Sequence, residues 1–237
     1  MNTFTKSKKS INNEFLNIIN LPVLNTDNTI RYSLMYQVRP EKLSDHITDV
    51  SILSYLIAKK LIVNYDEDIN IGLMLEKVLL HDLDEVLTGD IPRSTKYYSK
   101  EGLTAMRKVA DDAMHKLSSE IEDDSIYKLW SESKSGKEGK IVDLADMICV
   151  ARKVVKEYGL LGNVYFLKVA YEMVDNMSKV YNELDTWREN GMYSADSVEY
   201  LKQLVSDTKS LMTSMVNGDE RYHKYGVDNN VFNNHNH

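Results

Sequence analysis

Residues 81–90 read HDLDEVLTGD, directly after the apolar run VLL. A surface helix spreads its charge over the solvated side. Here a histidine and four acids gather at the end of a segment with buried character. The stretch belongs to a helical pattern over about 69–87 that stops at Thr88-Gly89, where glycine can end a helix. Within that helix His81 and Glu85 stand at i, i+4 and share a face. Both features predict a site carried on helices.

Outward from this stretch the chain keeps a helical period. Upstream, Ser44 is a suitable N-cap for SDHITDVSILSYLIAKKLIVNY, where His46, Val50, Leu53, Ile57 and Leu61 recur on one inward face. Residues 21–44, bounded by Pro22 and Pro40, read as loop and short turns. Downstream, helices are expected from near Ser99 to Leu117, around 123–132, over 138–158, and over roughly 163–188 and 193–216. A first helix is expected from Ser10 or Asn12 to Asn20. No segment shows period-2 alternation, and only 3 prolines and 10 glycines interrupt 237 residues, so the fold class is all-α. The expected organisation is an N-terminal segment with a short helix over 1–26, one helical domain over 27–217, and a disordered, Asn- and His-rich tail over 218–237.

Composition narrows the function. With 43% hydrophobic and 27% charged residues the chain can build both a core and a hydrated surface. A net charge of −7 argues against a protein that coats nucleic-acid phosphates. A local basic site for a small anion stays compatible with it. The single Cys149 excludes an internal disulfide framework and a cysteine-rich zinc site, and its MICVA setting predicts a buried thiol. No stretch reaches the length of a membrane span, and the N-terminus lacks the apolar core of a secretory signal. The expectation is a cytoplasmic protein without membrane or nucleic-acid partners.

Three further positions join the opening stretch. His46 heads its helix face, Asp82 follows His81, and Asp146 lies in LADMICV among Val142, Ala145, Met147 and Val150. A buried carboxylate there needs a partner, such as Arg152 or a lysine from another helix. Asp143, one turn earlier, is either a supporting group or an exposed edge. Two imidazoles and two carboxylates suit a divalent transition metal. Glu85 can then stand beside the ion without binding it, where a general acid or base is needed. Each residue alone has a structural explanation; the ordered set H…HD…D on separate helices favours a site. His235 and His237, at a ragged end, make a poor one.

The set His46, His81-Asp82 and Asp146 resembles the signature of the HD-domain metal-dependent phosphohydrolases. The stretches RYSLMYQVRPEKLSDH, HDLDEVLTGDIPRSTKYY and VDLADMI resemble the bacterial 5′-deoxynucleotidase branch, over roughly residues 27–190. The resemblance implies an all-helical HD-domain bundle, commonly dimeric, so a homodimer or higher homo-oligomer is expected. His46, His81, Asp82 and Asp146 would hold one divalent cation, with Co, Mn, Zn, Fe and Mg all open. Glu85 falls on the catalytic acid and Arg31 on the arginine that orients the substrate phosphate. The next residue lies against the sugar; it is usually tryptophan in the family and is Tyr32 here, which leaves deoxy-versus-ribo selectivity open. Asp90, Ile91, Pro92 and Arg93 fall on the nucleotide-binding loop, with Asp90 counted beside Glu85 among the catalytic residues and placed to accept from the sugar 3′-hydroxyl. By the same resemblance Asp82, Lys96 and Asp146 count among the substrate contacts.

The implied reaction is removal of the 5′-phosphate from small-molecule deoxyribonucleoside monophosphates, serving control of nucleotide pools. Arg93 and Lys96 add positive charge near the loop. They keep a triphosphohydrolase acting on a particular dNTP as the alternative. A non-catalytic nucleotide sensor on the same fold would be marked by loss of a ligand or of Glu85, and all are present.

Overall fold

The computed structural model describes residues 20–91 and 98–218. The expected N-terminal helix and the tail therefore lie outside the described residues. The described residues fall into two compact units, the first built from 20–34, 40–48, 79–91 and 98–133, the second from 35–39, 49–78 and 134–218.

In the first unit a 3-10 turn at Pro22–Leu24 leads to β1 (Ile30–Arg31), which pairs antiparallel with β2 (Glu41–Lys42). The register sets Ile30 opposite Lys42 and Arg31 opposite Glu41. Two residues per strand are too few to show alternation, which is why the pair escapes a sequence reading. Helix α1 (Leu43–Tyr65) starts one residue before the expected cap, so Ser44 lies inside its first turn. Only the start of α1 belongs to this unit.

The helix expected over 69–87 is interrupted. Helix α2 (Ile71–Leu80) ends before His81, residues 81–84 form a turn, and a short α3 (Glu85–Thr88) follows. Thus His81 and Glu85 do not share one helix face. Several hydrogen bonds meet at Asp84, the last residue of the turn. The Trp130 indole N–H donates to the Asp84 carboxylate at 3.0 Å, and the Asp84 carbonyl accepts from the Leu87 and Thr88 N–H groups. Helix α4 (Lys100–Ile121) is capped by the Ser99 hydroxyl, which accepts from the Gly102 N–H. Helix α5 (Asp124–Ser131) is capped by Asp123. Val23, Met114 and Leu117 form the core of the unit, with Leu21, Leu83, Ile126, Tyr127 and Trp130 packed against it.

The second unit holds most of α1 and α2, then α6 (Gly136–Val154), a π-helical turn at Val155–Leu160, a 3-10 turn at Val164–Phe166, α7 (Leu167–Glu189) and α8 (Ala195–Asn217). Helices α7 and α8 pack along each other, and α6 packs on α7. Ile57, Leu61, Met74, Leu144, Phe166, Met177, Leu184, Leu201 and Met212 are buried in this unit. Each such side chain stabilises by roughly 1.5–3 kcal/mol when removed from water. Cys149 is buried, as expected.

Two ionic networks are buried with this core. Glu157 accepts from the Val38 and Arg39 N–H groups, the Asn163 amide and the Lys153 ammonium. Glu67 pairs with Lys137 at 2.5 Å and accepts from the Ser194 N–H. No helix of the described residues is long and apolar enough to cross a membrane.

Candidate active site

The first unit brings most of the predicted site residues together. Strand β1 carries Arg31, which is buried with only 8% of its surface exposed. The β-register places Glu41 beside it, and the Arg31 Nε stands 3.5 Å from the Glu41 carboxylate. Arg31 Nη1 donates to Asp82 Oδ2 at 2.7 Å and reaches Glu85 Oε2 at 3.5 Å. A guanidinium suits this position because its charge persists at any physiological pH and its donors fan out in a plane.

The first turn of α1 supplies His46 and the 81–84 turn supplies His81 and Asp82. Both histidines are buried. Their Nε2 atoms approach to 3.4 Å with the rings tilted at 48°. Asp82 Oδ2 lies 3.3 Å from the His81 Nε2 and 3.6 Å from that of His46. One donor atom from each of these three residues therefore falls within 4.8 Å of the others. Two imidazole nitrogens and a carboxylate oxygen converging in this way fit a divalent transition cation. The cluster could bind a metal.

Glu85 opens α3 and is buried. Burial, followed by the charge of Asp82, pushes its carboxyl well above the usual carboxylate range; Arg31 opposes them, and Asp90 and Asp84 add to the rise. After α3, Gly89 takes a positive φ of 77° and turns the chain toward Asp90. The Asp90 carboxylate accepts the main-chain N–H of Tyr32. Tyr32 itself adopts the left-handed backbone, φ 53°, and the Arg31 guanidinium sits 5.8 Å from its ring centroid.

Ile91 is half-buried next to Asp90. Pro92, Arg93 and Lys96 lie outside the described residues. Asp146 belongs to the second unit, where it is buried on α6 and pairs with Lys134 at 2.5 Å. Its cation thus comes from the turn preceding its own helix, while Arg152 pairs instead with Asp49. Burial raises the neighbouring Asp143 carboxyl; Lys134 opposes that rise and Asp146 adds to it.

Three site-forming residues escaped the sequence reading. Glu41 is fixed by a cross-strand register that two-residue strands do not announce. Trp130 reaches Asp84 from 46 positions away. Lys134 lies in the polar stretch SESKSGKEG, where one lysine looks like any other.

A model of the YfbR-like 5′-deoxynucleotidase family matches residues 21–189. The chain belongs to that family. Family relatives include a 5′-deoxynucleotidase of Vibrio parahaemolyticus, 33% identical over 131 residues, covering 54% of this chain and 68% of the relative. The 5′-deoxynucleotidase YfbR of Escherichia coli is 26% identical over 141 residues, covering 58% of this chain and 71% of the relative. Among solved structures, an HD-domain phosphohydrolase from Listeria innocua aligns with a TM-score of 0.58 at 19% identity, covering 84% of this chain and 98% of its own. A protein from Pyrococcus horikoshii aligns with a TM-score of 0.61 at 19% identity, covering 83% and 99%. These likenesses give the fold: the expected all-helical HD-domain class holds, with the two-strand pair as its only sheet among the described residues.

Proposed function

We propose that the protein is a metal-dependent phosphohydrolase that removes the 5′-phosphate of deoxyribonucleoside monophosphates. The observation that carries this reading is the buried Arg31 guanidinium set against the His46, His81 and Asp82 cluster, with the neutral-leaning Glu85 carboxyl beside it. In this reading His46, His81, Asp82 and Asp146 hold one divalent cation, of which Co, Mn, Zn, Fe or Mg are candidates. When bound, that ion supplies Lewis-acid polarisation of a phosphoryl oxygen and acidifies water.

The chain's own residues do the rest. Arg31 exchanges part of its carboxylate contacts for the substrate phosphate and neutralises charge that grows in the transition state. Glu85, favoured in its protonated form by burial, delivers a proton to the leaving 5′-oxygen. Tyr32 lies against the sugar. Asp90 and Ile91, with Pro92, Arg93 and Lys96 by the resemblance, are assigned to nucleotide binding. The enzyme works in the cytoplasm as a homodimer or higher homo-oligomer.

The test is a product assay of metal-loaded protein against the four dNMPs and four dNTPs, with AMP and ATP as ribo controls and Glu85→Ala as the blank. Orthophosphate from dNMPs alone, lost in the variant, is expected. Triphosphate released from a dNTP would replace the substrate assignment. Silence toward every nucleotide with all five metals would refute the enzyme reading.

A further inference from the structure

Asp90 sits where the resemblance puts a sugar-binding carboxylate, and one of its oxygens is engaged within the chain. Its Oδ2 accepts the Tyr32 main-chain N–H. Tyr32 is one of three non-glycine residues with positive φ among the described residues, and the only one at the site. A bulky side chain rarely adopts that backbone unless its surroundings impose it. Here the preceding Arg31 is held by the strand register and by the carboxylates of Asp82, Glu85 and Glu41. The chain must then swing sharply at Tyr32, and the Asp90 carboxylate captures the N–H that the swing exposes. Gly89, itself at positive φ, aims Asp90 at that N–H.

Resting on the deoxynucleotidase reading above, we propose that Asp90 is a positioning residue. It locks the Tyr32 backbone in its left-handed conformation and so sets the sugar-facing ring that discriminates deoxyribose from ribose. Its effect on substrates runs through Tyr32 and does not require the sugar 3′-hydroxyl. The direction in which a Cα–Cβ bond points is fixed by φ and ψ. Relaxing Tyr32 to the common negative-φ regions would carry the ring away from its place, and displacements of about 1 Å suffice to change rates a hundredfold.

The test compares the wild type with Asp90→Ala and Asp90→Asn on three substrates: a dNMP, its ribonucleotide counterpart and its 2′,3′-dideoxy counterpart. Asparagine can still accept the Tyr32 N–H through its amide oxygen, whereas alanine cannot. The expected result for Asp90→Ala is a fall of about tenfold or more in the deoxy-to-ribo ratio of kcat/KM. The loss should be equal on the deoxy and dideoxy substrates. Asp90→Asn should keep most of the ratio. A loss in Asp90→Ala that disappears with the dideoxy substrate would overturn the proposal in favour of direct 3′-hydroxyl recognition. An unchanged ratio would overturn it as well.

Hydrogen exchange at the Tyr32 amide gives a readout independent of turnover. Protection should be lost in Asp90→Ala and retained in Asp90→Asn, and equal protection in both variants would refute the lock. Were the wild type inactive on all three substrates, the substrate reading would fall, while amide exchange would still decide the contact.

Discussion

Replacing Glu157 by glutamine is expected to destabilise the protein by an amount that shrinks as the pH falls. Glu157 is fully buried, and four donors converge on its two oxygens. Burial alone would raise its pKa; the Asn163 amide, the Val38 and Arg39 N–H groups and the Lys153 ammonium reverse that and bring it from 4.5 to about 2. Because the folded-state pKa is depressed, an unfolded chain takes up the proton first as the pH drops. The contribution is therefore complete above about pH 4.5 and is lost on the way to pH 2. The interval corresponds to about 3 kcal/mol at neutral pH, of which roughly 1 kcal/mol remains near pH 3. An independent estimate agrees: breaking a buried ion pair from one side costs about 3–5 kcal/mol, and Glu157→Gln leaves the buried Lys153 ammonium without its carboxylate. Urea unfolding followed by circular dichroism, from about pH 7 to about pH 3, measures the gap between wild type and variant. Glu67, also lowered to about 2, titrates in the same window in both proteins and cancels in the difference. A gap that stays constant across that range, or a variant as stable as the wild type at neutral pH, would refute the reasoning.

The remaining predictions concern the candidate site. Glu85→Gln should lower kcat by about 10²–10⁴-fold while leaving metal affinity by calorimetry near that of the wild type; a kcat within a few-fold of wild type would remove Glu85 from the chemistry. Arg31→Met strips the cation from Glu41, Asp82 and Glu85 and should cost about 3–5 kcal/mol in thermal or urea unfolding without metal. Added Mn²⁺ should return part of that stability, and a variant as stable as wild type without metal would contradict the buried ion-pair picture. Trp130→Phe keeps a ring but deletes the donor to Asp84, and should weaken metal binding about tenfold by loosening the turn that carries His81 and Asp82. Unchanged affinity would show that the turn holds without that bond.

The helices were legible in the sequence because their signals are local. Ser99 caps α4 as its position before a periodic run suggests, and the His46, Val50, Ile57 and Leu61 face is buried along α1. The candidate site was legible for a different reason: a histidine and clustered acids behind an apolar run conflict with the needs of a core, so they call for a ligand. What stayed hidden depends on long-range contacts. Helical propensity continues through VLLHDLDEVL, and it takes the indole of Trp130 on α5 to stabilise the turn at 81–84. The Asp146 partner could not be read either. Arg152 lies six residues on and Lys134 twelve residues back, and the alternatives have equal standing until Arg152 is seen on Asp49.

The charge arrangement around Arg31 makes little sense as a device for stability. Glu41, Asp82 and Glu85 all reach one guanidinium, with Asp84 and Asp90 adding further negative charge near Glu85. Well-packed apolar residues in place of such a buried group would commonly be neutral or stabilising. Burial, and after it the charge of Asp82, raises the Glu85 carboxyl well above the usual carboxylate range, the direction that the proposed proton donor to a leaving oxygen requires. The imbalance also leaves Asp82 Oδ2, shared by Arg31 and the two imidazoles, at the point where a second positive charge would be best received. Among the described residues, carboxylates that outnumber the one cation of Arg31 in this way suit a divalent cation. The same excess of acid, spread over a core that bound nothing, would only weaken the fold.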